Sequence, residues 1–163
     1  MSRSLPWLPA VALATALLSV AAVLACGGHD TGYTPGLGEI MSLQQMRHTK
    51  LWLAGEAGNW ELAQYEIDEL GEGFDDVLRF HPTHKESPIG PRDLLPNLVE
   101  GPLGALRTAA KGRDRVAFEA AFDRLTAACN SCHTTMRFGF NRVARPSGNP
   151  YPNQVFAAPT PVR

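Results

Sequence analysis

Residues 114–140, DRVAFEAAFDRLTAACNSCHTTMRFGF, contain the pattern that decides the fold of this chain. Apolar side chains recur there every three or four residues, at Phe118, Phe122, Leu125, Cys129, Cys132, Met136 and Phe140. This spacing is typical of one face of an amphipathic helix, and Asp114 stands where an N-cap residue is expected. The stretch therefore predicts a helix that turns both of its cysteines toward a protein core.

Within this predicted helix, residues 129–133 read Cys-Asn-Ser-Cys-His. Cys129 and Cys132 lie about one helical turn apart, so each thiol can form a thioether with one vinyl group of a haem. His133 directly follows the second cysteine and is the candidate proximal ligand of the iron. The motif predicts one covalently bound haem c.

Three other uses of Cys129 and Cys132 compete with haem attachment. A zinc knuckle needs a second ligand pair at similar spacing, and the histidine cluster at residues 81–84 has no accompanying cysteine. A thioredoxin-like redox pair normally lies between a strand and a helix N-terminus, whereas this pair lies inside a helix. A structural disulfide fits poorly because both cysteines share one turn of one helix. Haem attachment is the interpretation that these residues favour.

Residues 1–26 have the features of an export signal, with Arg3 before a short apolar run. The run ends in Val-Leu-Ala-Cys-Gly at residues 23–27, which resembles a bacterial lipobox. On that resemblance Cys26 becomes the lipidated first residue of an exported protein that faces the periplasm and is anchored to a bacterial membrane. The alternatives are plain secretion with cleavage near Cys26, or an uncleaved anchor.

Composition limits the organisation and the partners of the chain. Its 163 residues fit one ordinary domain. The formal net charge of −1 suggests neither nucleic acid nor an anionic membrane surface as a partner. Residues 27–34 are rich in Gly, Thr and Asp and are predicted to form a flexible tether.

Three more helices are predicted, over residues 35–54, 60–80 and 93–110. Thr34 and Pro35 resemble the N-cap and first residue of the first helix, and Asn59 is a candidate N-cap for the second. Pro96 and Pro102 are expected to weaken the third helix and could break it in two.

The fold class that follows is all-α, an antiparallel four-helix bundle over residues 35–142 with a covalent haem in its last helix. The chain has no internal repeat and no long alternating pattern that would predict a strand. From Pro146 onward, Pro, Gly and Asn dominate, so residues 143–163 are predicted to be an extended tail. A loosely packed strap is the simpler interpretation of this tail; a cover for the haem edge is the alternative.

A four-helix bundle with a Cys-x-x-Cys-His motif in its last helix resembles cytochrome c-prime and its low-spin relatives. The family often follows this motif with an aromatic and then a basic residue; here Met136 replaces the aromatic residue and Arg137 matches the basic one. The resemblance implies that Arg137 lies beside the haem on the proximal side, and it implies a homodimer as one assembly of this chain. The long connection at residues 81–93 and the tail at 143–163 depart from the family.

The distal ligand is expected from the first predicted helix, since its start lies near the end of the last helix in an antiparallel bundle. Met41, Met46 and His48 occur in the region opposite His133. Met41 and His48 share a face with Gln44, whereas Met46 is rotated by about 140° from Met41 and is expected to be ordinary packing. Met41 is the first candidate because a Met/His pair suits electron transfer. His48 is the alternative, and a Met41 that only lines the pocket would leave the iron five-coordinate.

The predicted function is that of an exported, membrane-tethered cytochrome that exchanges electrons with a redox partner protein. The alternatives are a five-coordinate protein that binds NO or CO, and an interaction protein in which haem mainly holds the bundle together. An enzyme is not expected, because no peroxidase-like His-Arg pair and no supported Ser/His/Asp arrangement can be placed. His29, His81 and His84 fall in the tether and a loop, where they are expected to be solvated.

Overall fold

The computed structural model describes residues 32–84 and 87–160. Within these ranges the chain is all-helical without strands, and its four helices are α1 (Leu37–Glu56), α2 (Trp60–Phe80), α3 (Pro91–Gly112) and α4 (Arg115–Thr135). Each helix packs closely on its neighbour in sequence, and α1 packs more loosely on α4, an arrangement compatible with the predicted four-helix bundle. The predicted signal peptide at 1–26, including Cys26, lies outside the described residues. None of the described helices is long and apolar enough to cross a membrane.

Helices α1 and α4 run antiparallel. The Nε2 atom of His48 lies 2.8 Å from Oγ1 of Thr126, and the rings of Trp52 and Phe122 are 4.9 Å apart between centroids. A step of four residues forward along α1 is thus matched by a step of four residues back along α4. This register fixes which residues of the two helices face each other.

Helix α1 begins later than predicted. Gly36 is its N-cap, with extended φ and ψ, and the Gly36 carbonyl accepts a hydrogen bond from the amide of Ile40. The carbonyl of Pro35 instead accepts a hydrogen bond of 2.8 Å from Nε2 of His81. The prediction of Thr34 and Pro35 as the helix start was therefore wrong, because a contact with the α2–α3 connection holds Pro35 outside the helix.

The predicted caps of α2 and α4 are confirmed. The side chain of Asn59 accepts a hydrogen bond of 3.2 Å from the amide of Leu62, and Asp114 accepts one of 3.0 Å from the amide of Ala117. Such bonds satisfy amides that have no partner within the first turn of a helix. The predicted bounds of α2 are also confirmed.

Helix α3 is continuous through both of its internal prolines, so Pro96 and Pro102 do not break it in two. Each proline removes one backbone donor. The cost is offset by packing, since the buried side chains of this helix follow helical spacing through the same region: Leu95, Val99, Leu103 and Leu106.

Helix α4 ends before the predicted apolar stripe does. Arg137 has a left-handed backbone with φ of 67°, and the amide of Phe138 donates a hydrogen bond of 2.6 Å to the carbonyl of His133. This reversal closes the helix. The inclusion of Phe140 in the buried stripe was wrong, because Phe140 is 84% exposed while Met136 is buried.

The described part of the tail, residues 143–160, contains no helix or strand but is well anchored. Arg145 donates two hydrogen bonds of 2.7 Å to the carboxylate of Asp123, and its guanidinium lies 4.3 Å from the centre of the Trp52 ring. Phe156 is buried in the core. The expectation of a loosely packed strap was therefore wrong for these residues.

An aromatic cluster fills the half of the α1–α4 pair nearest the end of α1. Phe118 lies 6.3 Å from Phe122 and 5.7 Å from Trp60 between ring centroids, and Phe122 also contacts Trp52. The cluster depends on Gly55, since a Cβ atom there would overlap the Phe118 ring. We call these five residues the closed end.

Candidate functional site

A cavity of about 320 Å³ lies between the start of α1 and the end of α4, a volume within the range of about 300–1,000 Å³ that is usual for ligand pockets. Five of the predicted site residues line this one cavity: Cys129, Cys132, His133, Met41 and His48. The remaining walls are largely apolar and come from all four helices and the chain after α4; the contribution of α2 and α3 includes Leu70, Phe74, Val77, Leu95 and Val99. We call the part of the cavity bounded by Met41, Cys129, Cys132 and His133 the open end.

Arg137 is the one predicted site residue that the structure does not bring to this cavity. It is exposed and occupies the left-handed turn after α4. The sequence could not indicate this turn, because Arg has no preference for positive φ.

Both cysteines are unpaired thiols on the inner face of α4. Cys132 is buried, and the sulfur of Cys129 is well shielded although the residue as a whole is only half-buried. Burial, together with a smaller contribution from the neighbouring Cys132, raises the pKa of the Cys129 thiol to about 12, and burial also raises the pKa of Cys132. Redox-active thiol pairs have lowered pKa values, so these two thiols are poorly suited to that chemistry.

His133 is oriented by the chain that follows α4. Its Nδ1 atom lies 2.6 Å from the carbonyl oxygen of Asn141. A carbonyl only accepts hydrogen bonds, so Nδ1 carries the proton and the neutral ring keeps its lone pair on Nε2. Histidines that bind metals typically donate their other ring N–H in this way. His133 therefore has the tautomer that a ligand through Nε2 requires.

His48 is held in a different way. Its Nε2 atom lies 2.8 Å from Oγ1 of Thr126, whose own hydroxyl donates to the carbonyl of Phe122. The Nε2 atom of His48 therefore donates, and its ring packs at 4.4 Å on the Phe122 ring. Burial lowers the pKa of His48 to about 4. His48 is thus a neutral side chain whose Nε2 atom is already engaged.

Met41 lies at the level of His133 across the cavity. Met41 comes seven residues before His48, and His133 comes seven residues after Thr126, the partner of His48. Seven residues are about two helical turns. Two turns from the His48–Thr126 pair, the antiparallel register therefore places Met41 opposite His133. Met41 is half-buried and lines the cavity, whereas Met46 is half-buried and does not.

His84 and Gln44 are among the further residues that line the cavity and that the sequence did not single out as site residues. His84 was expected to be solvated, but it lines the cavity and its ring lies 5.3 Å from that of Phe138. Gln44 donates a hydrogen bond of 2.9 Å to the carbonyl of Leu70, and its buried Oε1 atom has no hydrogen-bond partner among the described residues. The helical period indicated the face of Gln44, but no periodic signal exists for a loop residue such as His84.

Among the described residues, no three His, Cys, Asp or Glu side chains are grouped so that they could hold a metal ion by themselves. No protein-family model matches the chain, and no curated protein or solved structure matches it either. The resemblance to cytochrome c-prime and its low-spin relatives therefore rests on residues 129–137 and on the arrangement of the helices.

Proposed function

We propose that this chain is an exported, membrane-tethered c-type cytochrome that binds one haem c covalently and exchanges electrons with a redox partner protein. The observation that carries the proposal is the composition of one cavity, which is lined by Cys129, Cys132 and His133 of α4 and by Met41 of α1. A haem held there supplies a one-electron couple at its iron.

The cavity suits the attachment of a flat apolar macrocycle. Cys129 and Cys132 both line it, one turn apart on the same helix, as two thioether bonds to one haem require. Burial keeps both thiols protonated at neutral pH. The apolar walls from α2 and α3 suit a haem, since a dry, apolar surrounding is the contribution expected of the protein in a haem site.

His133 and Met41 are the side chains that would bind the iron of a haem held in this cavity. The hydrogen bond from Nδ1 of His133 to the Asn141 carbonyl leaves Nε2 available and makes it a stronger donor to iron. Met41 is favoured over His48 because the Nε2 atom of His48 is engaged by Thr126. A Met/His pair raises the reduction potential and suits electron transfer.

The alternative function is a five-coordinate haem protein that binds NO or CO. The apolar side chains of Leu70, Phe74 and Val77 line the same cavity as Met41, and such a wall suits a small neutral gas. On this alternative Met41 lines the pocket without binding iron.

The first experiment is an absorption spectrum of the full-length chain, purified from a bacterium that attaches haem c to exported proteins. We expect a haem that resists extraction and is low-spin in both oxidation states. The double variant Cys129→Ser/Cys132→Ser should lose the covalent haem, whereas Ser131→Ala, at an exposed position of the same motif, should retain it. A wild-type chain without covalent haem would overturn the proposal, and a high-spin haem that binds CO rapidly would favour the gas-binding alternative.

A second experiment identifies the distal ligand. Met41→Ala should convert the haem to a high-spin form that binds CO, while His48→Gln should leave it low-spin because Gln can still donate to Thr126. The opposite pair of results would assign the ligand to His48 instead.

The membrane tether is tested separately on Cys26. Wild-type cells supplied with a labelled fatty acid should incorporate the label into the chain. Cys26→Ser should remove the label and release the protein from the membrane, with its haem still attached. An unlabelled wild-type chain would contradict the lipid anchor.

A further inference from the structure

Asn130, the residue between Cys129 and Ser131, binds the chain that follows α4. Its Nδ2 atom donates a hydrogen bond of 2.9 Å to the carbonyl of Val143, and its Oδ1 atom accepts one of 2.9 Å from the amide of Val143. Both backbone polar groups of Val143 are therefore engaged by a single side chain, which fixes the orientation of the backbone there.

The same stretch of chain supplies the partner of His133. The carbonyl of Asn141, two residues before Val143, accepts the hydrogen bond of 2.6 Å from Nδ1 of His133. Asn130 and His133 are three residues apart on α4 and are neighbours on the helix surface. Asn130, Val143, Asn141 and His133 thus form a closed ring of contacts, in which each end of the short segment is bound to the same helix.

We propose that Asn130 is a positioning residue for His133, and that it acts by holding the Asn141 carbonyl against Nδ1. This inference rests on the proposed function, since it concerns His133 as a ligand of haem iron. Partners of metal-binding histidines fix the tautomer and the direction of the ring and raise its basicity, and their loss typically weakens the site about 10–100-fold. Asn130, one of the two residues between the cysteines of the attachment motif, therefore also sets the strength of the ligand that follows them.

The positioning of His133 through Asn130 must be distinguished from the general anchoring of the tail, and Arg145 allows this distinction. Arg145 lies two residues beyond Val143 and is bound to Asp123, further back along α4. Loss of Arg145 should loosen the tail beyond Val143 while leaving the Asn130–Val143 and His133–Asn141 contacts in place. Ser131→Ala serves as the control for a change inside the attachment motif.

The experiment compares full-length haem-bearing wild type, Asn130→Ala, Asn130→Asp, Ser131→Ala and Arg145→Ala. The first readout is hydrogen exchange at the Val143 amide, which should become roughly five- to tenfold faster in Asn130→Ala, as expected for one lost hydrogen bond. The second is the reduction potential of the haem. A less basic His133 stabilises the oxidised iron less. If its binding to oxidised iron weakens tenfold more than its binding to reduced iron, the reduction potential rises by about 59 mV for one electron.

Asn130→Asp keeps an acceptor for the Val143 amide but loses the donor to the Val143 carbonyl, so both of its shifts should be smaller than those of Asn130→Ala. Ser131→Ala and Arg145→Ala should leave the potential and the Val143 exchange rate unchanged. If Asn130→Ala retains haem with an unchanged potential, or if Arg145→Ala shifts the potential equally, the inference is wrong while the proposed function stands. A wild-type chain without haem overturns the proposed function, and the positioning role with it.

Discussion

Apart from Trp60 of α2, the closed end and the open end belong to the same pair of helices, α1 and α4, yet they are built from different kinds of side chain. At the closed end α1 presents Trp52 and Gly55 to Phe118 and Phe122 of α4, and these aromatic rings are buried in the core. Two to four turns away, the same faces of the helices enclose a cavity of about 320 Å³. The two ends differ in residue size and chemistry, since aromatic rings fill one and small or polarisable side chains line the other.

This contrast separates the source of stability from the site. Large aromatic rings bury a large area each, and those of Trp52, Phe118 and Phe122 lie several helical turns from Met41 and His133 along α1 and α4. The open end instead carries small or polarisable side chains such as Ala128, Cys129 and Met41 on its walls. A cavity costs packing energy, so we expect the closed end to offset that cost in the absence of a bound group.

The largest expected effect is the loss of Phe122, whose ring contacts those of His48, Trp52 and Phe118. Phe122→Ala should lower the free energy of unfolding by about 3–5 kcal/mol, measured by urea denaturation. Phe140→Ala is the matched control, because that ring is 84% exposed and its removal should change stability by less than about 0.5 kcal/mol. Equal effects of the two variants would mean that the closed end does not dominate stability.

His48 lies between the two ends and should make stability depend on pH. Burial lowers its pKa from 6.5 to about 4, so the folded chain prefers the neutral ring. The contribution of neutral His48 to the free energy of unfolding is therefore complete above pH 6.5 and is lost as the pH falls from 6.5 toward 4. At about 1.4 kcal/mol per unit, the loss should approach 3 kcal/mol.

The control for this prediction is His48→Gln, which can still donate to Thr126 but does not titrate. Burial raises the pKa of Glu66, which acts in the opposite direction in acid, and that contribution is common to both proteins and cancels in their difference. The unfolding free energy of His48→Gln should fall less between pH 7 and pH 4 than that of wild type. Parallel pH profiles would show that His48 is not the group responsible.

Gly55 tests how tightly the closed end is packed. A Cβ atom there would overlap the buried ring of Phe118, so Gly55→Ala should lower the free energy of unfolding by about 1–3 kcal/mol. Gly104, in α3, has nothing within 4 Å of the same position. Gly104→Ala should instead raise stability by roughly 0.5–1 kcal/mol, since alanine favours the helix. The same sign for both variants would refute close packing around Gly55.

The sequence was most informative where structure depends on neighbours along the chain. The caps at Asn59 and Asp114 are local hydrogen bonds between residues three apart, and residue type and spacing predicted both. The buried face of α4 through Phe118, Phe122 and Met136 followed from helical period alone. In these cases a short stretch of chain contains all of the interacting groups.

The misjudged features depend on contacts between distant residues. His81 binds the carbonyl of Pro35 across 46 positions of the chain and moves the start of α1. Core packing from the other helices keeps α3 continuous through Pro96 and Pro102. Likewise, no local pattern could show that the Asn141 carbonyl faces His133, since the segment that supplies it has no helical or strand period. The sequence therefore predicted five of the residues that line the cavity, but not the carbonyl that orients His133.

The smallest expected effect on stability is at the open end itself. Met41 is half-buried beside the cavity, and Met41→Leu conserves most of its volume, so the free energy of unfolding should change by less than about 1.5 kcal/mol. The same substitution removes the only thioether that the antiparallel register places opposite His133, so the haem spectrum should change from low-spin to high-spin. A large loss of stability with an unchanged spectrum would mean that Met41 contributes to packing and not to iron binding. The open end would then contribute to stability as the closed end does. A small loss of stability with a changed spectrum is the result expected if Met41 binds the iron and contributes little to the stability of the fold.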